Sequence, residues 1–121
     1  MAEAEWPNPR ALQPNMESES EMEAAMRIVM ASDHGAIHLR QEVLAHLQDQ
    51  GVQVEDLGTH EDSSVDYPDY AMKAAEKIRS GEADRAILMC GTGQGISMAA
   101  NRHKGIRAAL CHNEFAARMS R

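Results

Sequence analysis

At 121 residues the chain has the length of a single domain. Nineteen acidic against twelve basic side chains give a net charge of −7, a poor balance for binding nucleic acid or an anionic membrane. No apolar run approaches a membrane span, the acidic N-terminus has no secretory pattern, and two cysteines 21 positions apart form neither a disulfide framework nor zinc spacing, so a reducing cytoplasm is expected.

Residues 1–25 hold six glutamates, one arginine and three of the four prolines, a local charge of −5 that leaves −2 for the other 96 residues. They include Trp6 but no apolar periodicity that could support a packed element, so a disordered acidic leader is expected. Met26, directly before the first strand, is a candidate original start, and 26–121 is the expected folded domain.

Arg27 to Ser32 reads as a strand, Asp33-His34-Gly35 as a loop, and a helix follows to about Gln50 with Leu39, Val43, Leu44 and Leu47 on one face. Gly51 is its stop. Val52 to Leu57 reads as the second strand, ended by Gly58 and Thr59. A polar loop from His60 to Asp66 leads to Tyr67-Pro68-Asp69-Tyr70, where Pro68 suits the first turn of a helix. Ala71, Ala74, Ala75 and Ile78 are expected to face inward, Tyr70 to lie in the core, and Gly81 to end that helix.

Residues 85–90 read as the third strand: Ala86 to Cys90 form an unbroken apolar run, the pattern of a strand buried on both faces, and lead into Gly91, Gly93 and Gly95. A short helix is expected from Ile96 to about Arg102, a fourth strand from Ile106 to Cys111, and a last helix from about Glu114, with Phe115 and Met119 four apart. Strand alternating with helix four times predicts a doubly wound parallel sheet, whose sites lie beyond the strand C-termini. The loops at 33–35, 58–67, 90–95 and 112–113 fall on that edge. The last helix reaches Arg121 after about two turns with no cap signal, so the fourth strand is expected to be covered by a stub or left bare, and the chain reads as cut.

The chemistry concentrates at Cys90-Gly91-Thr92-Gly93-Gln94-Gly95. A cysteine ending an apolar strand is ordinarily a small buried hydrophobe, the reading kept for Cys111. At Cys90 the glycine turn places backbone N–H groups where a thiolate is favoured, poised to move a proton or attack carbon. The spacing is G-x-G-x-G, it follows the third strand, and no acidic residue ends the next strand, so a dinucleotide site is not expected. No Gly-Lys-Ser/Thr makes it a nucleotide-triphosphate loop. Asp33-His34 at the end of the first strand is the second constellation: aspartate accepts from sugar hydroxyls, and histidine donates to a phosphate. Tyr67 could reach the site. His38, His46, His60 and His103 read as surface residues, and His112 as a weak candidate on the active edge.

Several blocks carry a family resemblance: Asp33-His34-Gly35-Ala36-Ile37-His38-Leu39-Arg40, Gly58-Thr59, Asp66-Tyr67-Pro68-Asp69-Tyr70-Ala71, Cys90 to Ser97, Ala99-Ala100-Asn101, Gly105-Ile106-Arg107-Ala108 and Ala117 to Arg121. In this order and spacing, residues 26–121 closely resemble ribose-5-phosphate isomerase type B, in the sugar-phosphate isomerase family that also includes galactose-6-phosphate isomerase subunits. The resemblance implies a Rossmann-like three-layer αβα sandwich with a parallel sheet, four of its strands present and the family's last strand and C-terminal helix missing. It implies an aldose–ketose isomerase of the pentose phosphate pathway, with no metal or cofactor, converting ribose 5-phosphate to ribulose 5-phosphate through a cis-enediolate. Cys90 would be the proton-transfer base, since Gln94 and Gly95 stand where a second branch of the family has a glutamate. Thr92 and the turn at Gly91, Gly93, Gln94 and Gly95 would stabilise the enediolate, Asp33 would bind hydroxyls, His34 the phosphate, and Tyr67 would line the pocket. A homodimer or homotetramer is implied.

The family's ring-opening histidine and phosphate-holding arginines, which follow the Ser-Arg block, have no counterpart here. A truncated, non-catalytic sugar-phosphate-binding or subunit-interaction module is therefore the alternative.

Overall fold

The structure is a computed structural model that describes residues 26–61 and 63–121; the expected leader at 1–25 lies outside the described residues. The elements are β1 (Arg27–Ser32), a 3-10 turn (His34–Ala36), α1 (Ile37–Asp49), β2 (Gln53–Gly58), α2 (Tyr67–Arg79), β3 (Arg85–Met89), α3 (Gln94–Asn101) and α4 (Glu114–Met119). The strands form a parallel sheet in the order β2-β1-β3. With β1 central, the ends of all three strands meet on one edge.

Helices cover both faces. Met30, Met89, Ile87 and Val54 pack under Val43, Leu44 and Leu47 of α1. On the other face Val29, Ala86 and Leu88 meet Ala74 and Ile78 of α2. The inward side of α2 is Ala71, Ala74, Ala75 and Ile78, as the 3.6-residue period predicts, and these small residues let α3 approach through Ile96 and Ala100. Burying Ile96 contributes about 1.5–3 kcal/mol.

The structure departs from expectation at several points. The sheet has three strands among the described residues, so Ile106 to Cys111 is not a fourth. Ile106 and Ala108 do pack inward. The Asn101 side chain, however, donates to the Ala108 carbonyl at 2.8 Å and accepts from the Ala108 N–H at 2.7 Å. This local clasp satisfies both backbone groups of Ala108 without a neighbouring strand. Cys111 is exposed, where a small buried hydrophobe was expected.

On α1, Leu39 is 51% exposed, and Arg40, at 2%, takes the inward position. Val43, Leu44 and Leu47 do face the sheet as expected, so the departure is confined to Leu39.

Tyr67 is the first residue of α2, where a loop position was expected, and Tyr70 is only half-buried, with Lys73 Nζ 4.4 Å from its ring centroid. The last helix forms, its N-terminus capped by Asn113 Oδ1 on the Ala116 N–H at 2.8 Å, but Phe115 and Met119 are 72% and 68% exposed.

Candidate active site

Each strand leaves the sheet through a turn folded by its own side chains. After β1, Asp33 Oδ1 accepts from the Gly35 N–H at 2.9 Å; at the end of β2, Asp56 Oδ1 accepts from the Gly58 N–H at 3.0 Å. Both are Asp-x-Gly turns, made because the short carboxylate reaches the N–H two residues on. After β3, Cys90 Sγ accepts from the Gly93 N–H at 3.2 Å, and Thr92 Oγ1 from the Gln94 N–H at 3.2 Å. Gly93 is left-handed (φ 78°), which directs the chain into α3, and a Cβ there would lie 2.8 Å from Leu110 Cδ1.

These turns converge. The Asp33 N–H donates to the Met89 carbonyl at 3.1 Å, tying the residue after β1 to the residue before Cys90. A Cβ on Gly35 would lie 3.2 Å from Asp33 Oδ1 and 3.5 Å from the Gly91 nitrogen, so the two turns are in contact. From the α2 side the Tyr67 ring lies against Gly95, where a Cβ would stand 2.7 Å from Tyr67 Cζ. Asp33, Gly91, Gly93, Gly95 and Tyr67 thus surround the turn that carries Cys90, Thr92 and Gln94.

His34 is held differently. Its Nδ1 accepts from the Val65 N–H at 3.1 Å, so the neutral ring carries its proton on Nε2 and leaves that atom to donate. The imidazole thereby links the β1 turn to the loop before α2. His38, His46 and His60 are exposed and His103 is half-buried; His112 is exposed in the turn before α4.

The sequence reading assigned no role to Thr59 beyond its place in a matching block. It is 1% exposed, donates its N–H to the Ser32 carbonyl at 2.9 Å and accepts the Glu61 N–H on Oγ1 at 3.2 Å. It packs the start of the 59–66 loop against the end of β1. The Gly58-Thr59 pair ending an Asp-x-Gly turn was the available signal.

Among the described residues no group of three His, Cys, Asp or Glu side chains is placed to hold a metal ion, and no helix is long and apolar enough to cross a membrane. The open hollow lined by Arg27, Gln53, Glu55 and Glu82 lies at the opposite, N-terminal end of the strands, away from these turns.

Comparison with known proteins places this arrangement. Residues 28–121 match the family model described as Ribose/Galactose Isomerase. The chain is 45% identical over 95 residues to ribose-5-phosphate isomerase B of Escherichia coli, covering 78% of this chain and 64% of that protein. It is 40% identical over 99 residues to D-erythrulose-4-phosphate isomerase 2 of Mycolicibacterium smegmatis, covering 79% and 65%. The ribose-5-phosphate isomerase B structure from Clostridium thermocellum superposes with a TM-score of 0.77 at 54% identity, covering 79% of this chain and 65% of that one. The chain therefore spans about two thirds of the length of the relatives it matches.

Proposed function

Because the chain belongs to the ribose/galactose isomerase family, we propose that it interconverts the aldose and ketose forms of a phosphorylated sugar, ribose 5-phosphate and ribulose 5-phosphate first among them. The observation that carries this reading is the convergence of the Asp33 turn and Tyr67 on the glycine turn holding Cys90. Relatives bearing the names of two different sugar-phosphate isomerases support the reaction class more strongly than the identity of the sugar.

The residues have the following roles. Asp33 spends Oδ1 on its own turn and offers Oδ2 to sugar hydroxyls. With the open-chain aldose in place, the Cys90 thiolate takes the proton from C2; the C–H electron pair forms the C1=C2 bond, and the carbonyl electrons move to O1. Thr92 and the N–H groups of Gly91 and Gly95 stabilise the resulting enediolate as an oxyanion hole does, while the Gly93 and Gln94 N–H groups shape the turn by donating to Cys90 Sγ and Thr92 Oγ1. The Cys90 thiol then returns the proton to C1 while C2=O forms and the O2 proton passes to O1. Atoms and electrons balance within the substrate, so the reaction consumes no redox cofactor. His34 Nε2 serves the phosphate, and Tyr67 forms the wall beside Gly95.

Residues 26–121 form the isomerase domain in this reading, at work in a reducing cytoplasm as a homodimer or homotetramer. The second reading is a sugar-phosphate-binding or subunit-interaction module without turnover; the chain spans 64% of the Escherichia coli relative and 65% of the Clostridium thermocellum one. A metal-free assay with ribose 5-phosphate, paired with calorimetric titration of the same sugar, separates the two. Conversion to ribulose 5-phosphate supports the isomerase; binding heat without conversion supports the module; neither signal removes both.

A further inference from the structure

Arg40 is the largest of the side chains under 2% exposure or close to it, and it is charged. A guanidinium taken out of water is costly unless paired. Its Nη1 donates to Asp56 Oδ1 at 2.7 Å, while its Nε N–H has no acceptor. An apolar residue would fill this position on α1 more cheaply, and Leu39 beside it is out in solvent.

The contact lies at an irregularity of the sheet. Met30 pairs with Asp56 but Ala31 pairs with Gly58, so Leu57 is an extra residue in β2. Such a bulge re-aims the strand that carries it. Asp56 Oδ1 closes the bulge by accepting the Gly58 N–H, and the same oxygen takes the Arg40 bond. Beyond it, Thr59 bonds to Ser32, the residue before Asp33, and Val65 of the same loop bonds to His34. The ion pair is therefore continuous, through Gly58, Thr59 and Ser32, with Asp33, the residue after β1 that is assigned to substrate.

We infer that Arg40 is a positioning residue: through Asp56 it fixes the β2 bulge, and so the Thr59 bond to Ser32 and the Val65 bond that orients His34. The kinetic half of this inference rests on the isomerase reading above. Arg40 touches no reacting atom, so its charge should govern substrate binding more than proton transfer.

The test uses the full chain and three variants: Arg40→Lys, Arg40→Met, and Arg40→Met with Asp56→Leu. Replacing a buried ion pair with apolar groups often leaves stability unharmed, so the double variant should melt near the wild-type temperature. The positioning role predicts that Arg40→Met and the double variant raise KM about tenfold with kcat within about twofold, and that Arg40→Lys restores much of the loss. It also predicts faster hydrogen exchange at the Thr59 and Val65 amides, which no substitution alters directly. A double variant that melts normally with wild-type KM and unchanged Thr59 and Val65 exchange would show Arg40 to be core filling and overturn the inference. If the wild-type chain turns over no ribose 5-phosphate, the functional reading fails, and the Thr59 and Val65 amides decide the positioning role.

Discussion

The Tyr67 ring rests on the backbone of Gly95, so near that a Cβ at 95 would stand 2.7 Å from Cζ and 3.0 Å from the hydroxyl oxygen. The first residue of α2 is thus the wall of a turn built at the end of β3. Gly95→Ala must push the ring aside, and overpacking of this kind costs about 1–3 kcal/mol. Urea unfolding should show that loss, and Tyr67→Ala combined with Gly95→Ala should recover part of it. A Gly95→Ala variant as stable as the wild type would mean that the ring yields freely.

At the opposite end of the sheet, Arg27 holds Asp84 by Nη2 to Oδ1 at 3.0 Å and by its backbone N–H to Oδ2 at 2.9 Å. Burial opposes the charge on Asp84, but the hydrogen bonds and charge of Arg27 prevail and hold its carboxyl below the usual carboxylate range. Because its folded-state value is depressed, Asp84 stabilises the fold above the unfolded carboxylate value of about 4, and that contribution is lost as pH falls through the lower folded value. Urea midpoints measured from pH 7 down to pH 3 should fall for the wild type and fall less for Asp84→Asn, which is weaker at neutral pH.

The Asn101 clasp on Ala108 makes a third prediction. Asn101→Ala leaves the Ala108 N–H and carbonyl without their side-chain partner, at a cost of about 1–3 kcal/mol if water does not replace it. Amide exchange at Ala108 should accelerate while exchange in β1 stays slow. If Ala108 remains protected in the variant, a pairing with β3 is holding the segment.

The parallel sheet and the inward face of α2 were legible because Ala71, Ala74, Ala75 and Ile78 follow one helical period with no competing polar group. The glycine turn was legible because its residues are chosen by backbone demands. On α1 apolar periodicity places Val43, Leu44 and Leu47 correctly but also assigns Leu39 to the core, whereas the acceptor that lets Arg40 take its place is Asp56, 16 positions away. Ile106 and Ala108 face inward as strand residues would, but side-chain direction does not say who receives the backbone hydrogen bonds. The answer lay in Asn101, seven residues upstream of Ala108. Contacts between turns, such as Gly35 against Gly91, depend on strand order and have no local signature.

The central claim is that Cys90 carries a proton between C2 and C1 of a sugar phosphate. Incubating the chain with ribose 5-phosphate in D2O and following the carbon-bound protons by NMR tests it most directly. The wild type should form ribulose 5-phosphate with deuterium entering at C1, and Cys90→Ala should slow this by about 100-fold or more, the scale of a lost general base. A Cys90→Ala variant that isomerises and exchanges at the wild-type rate would contradict the account.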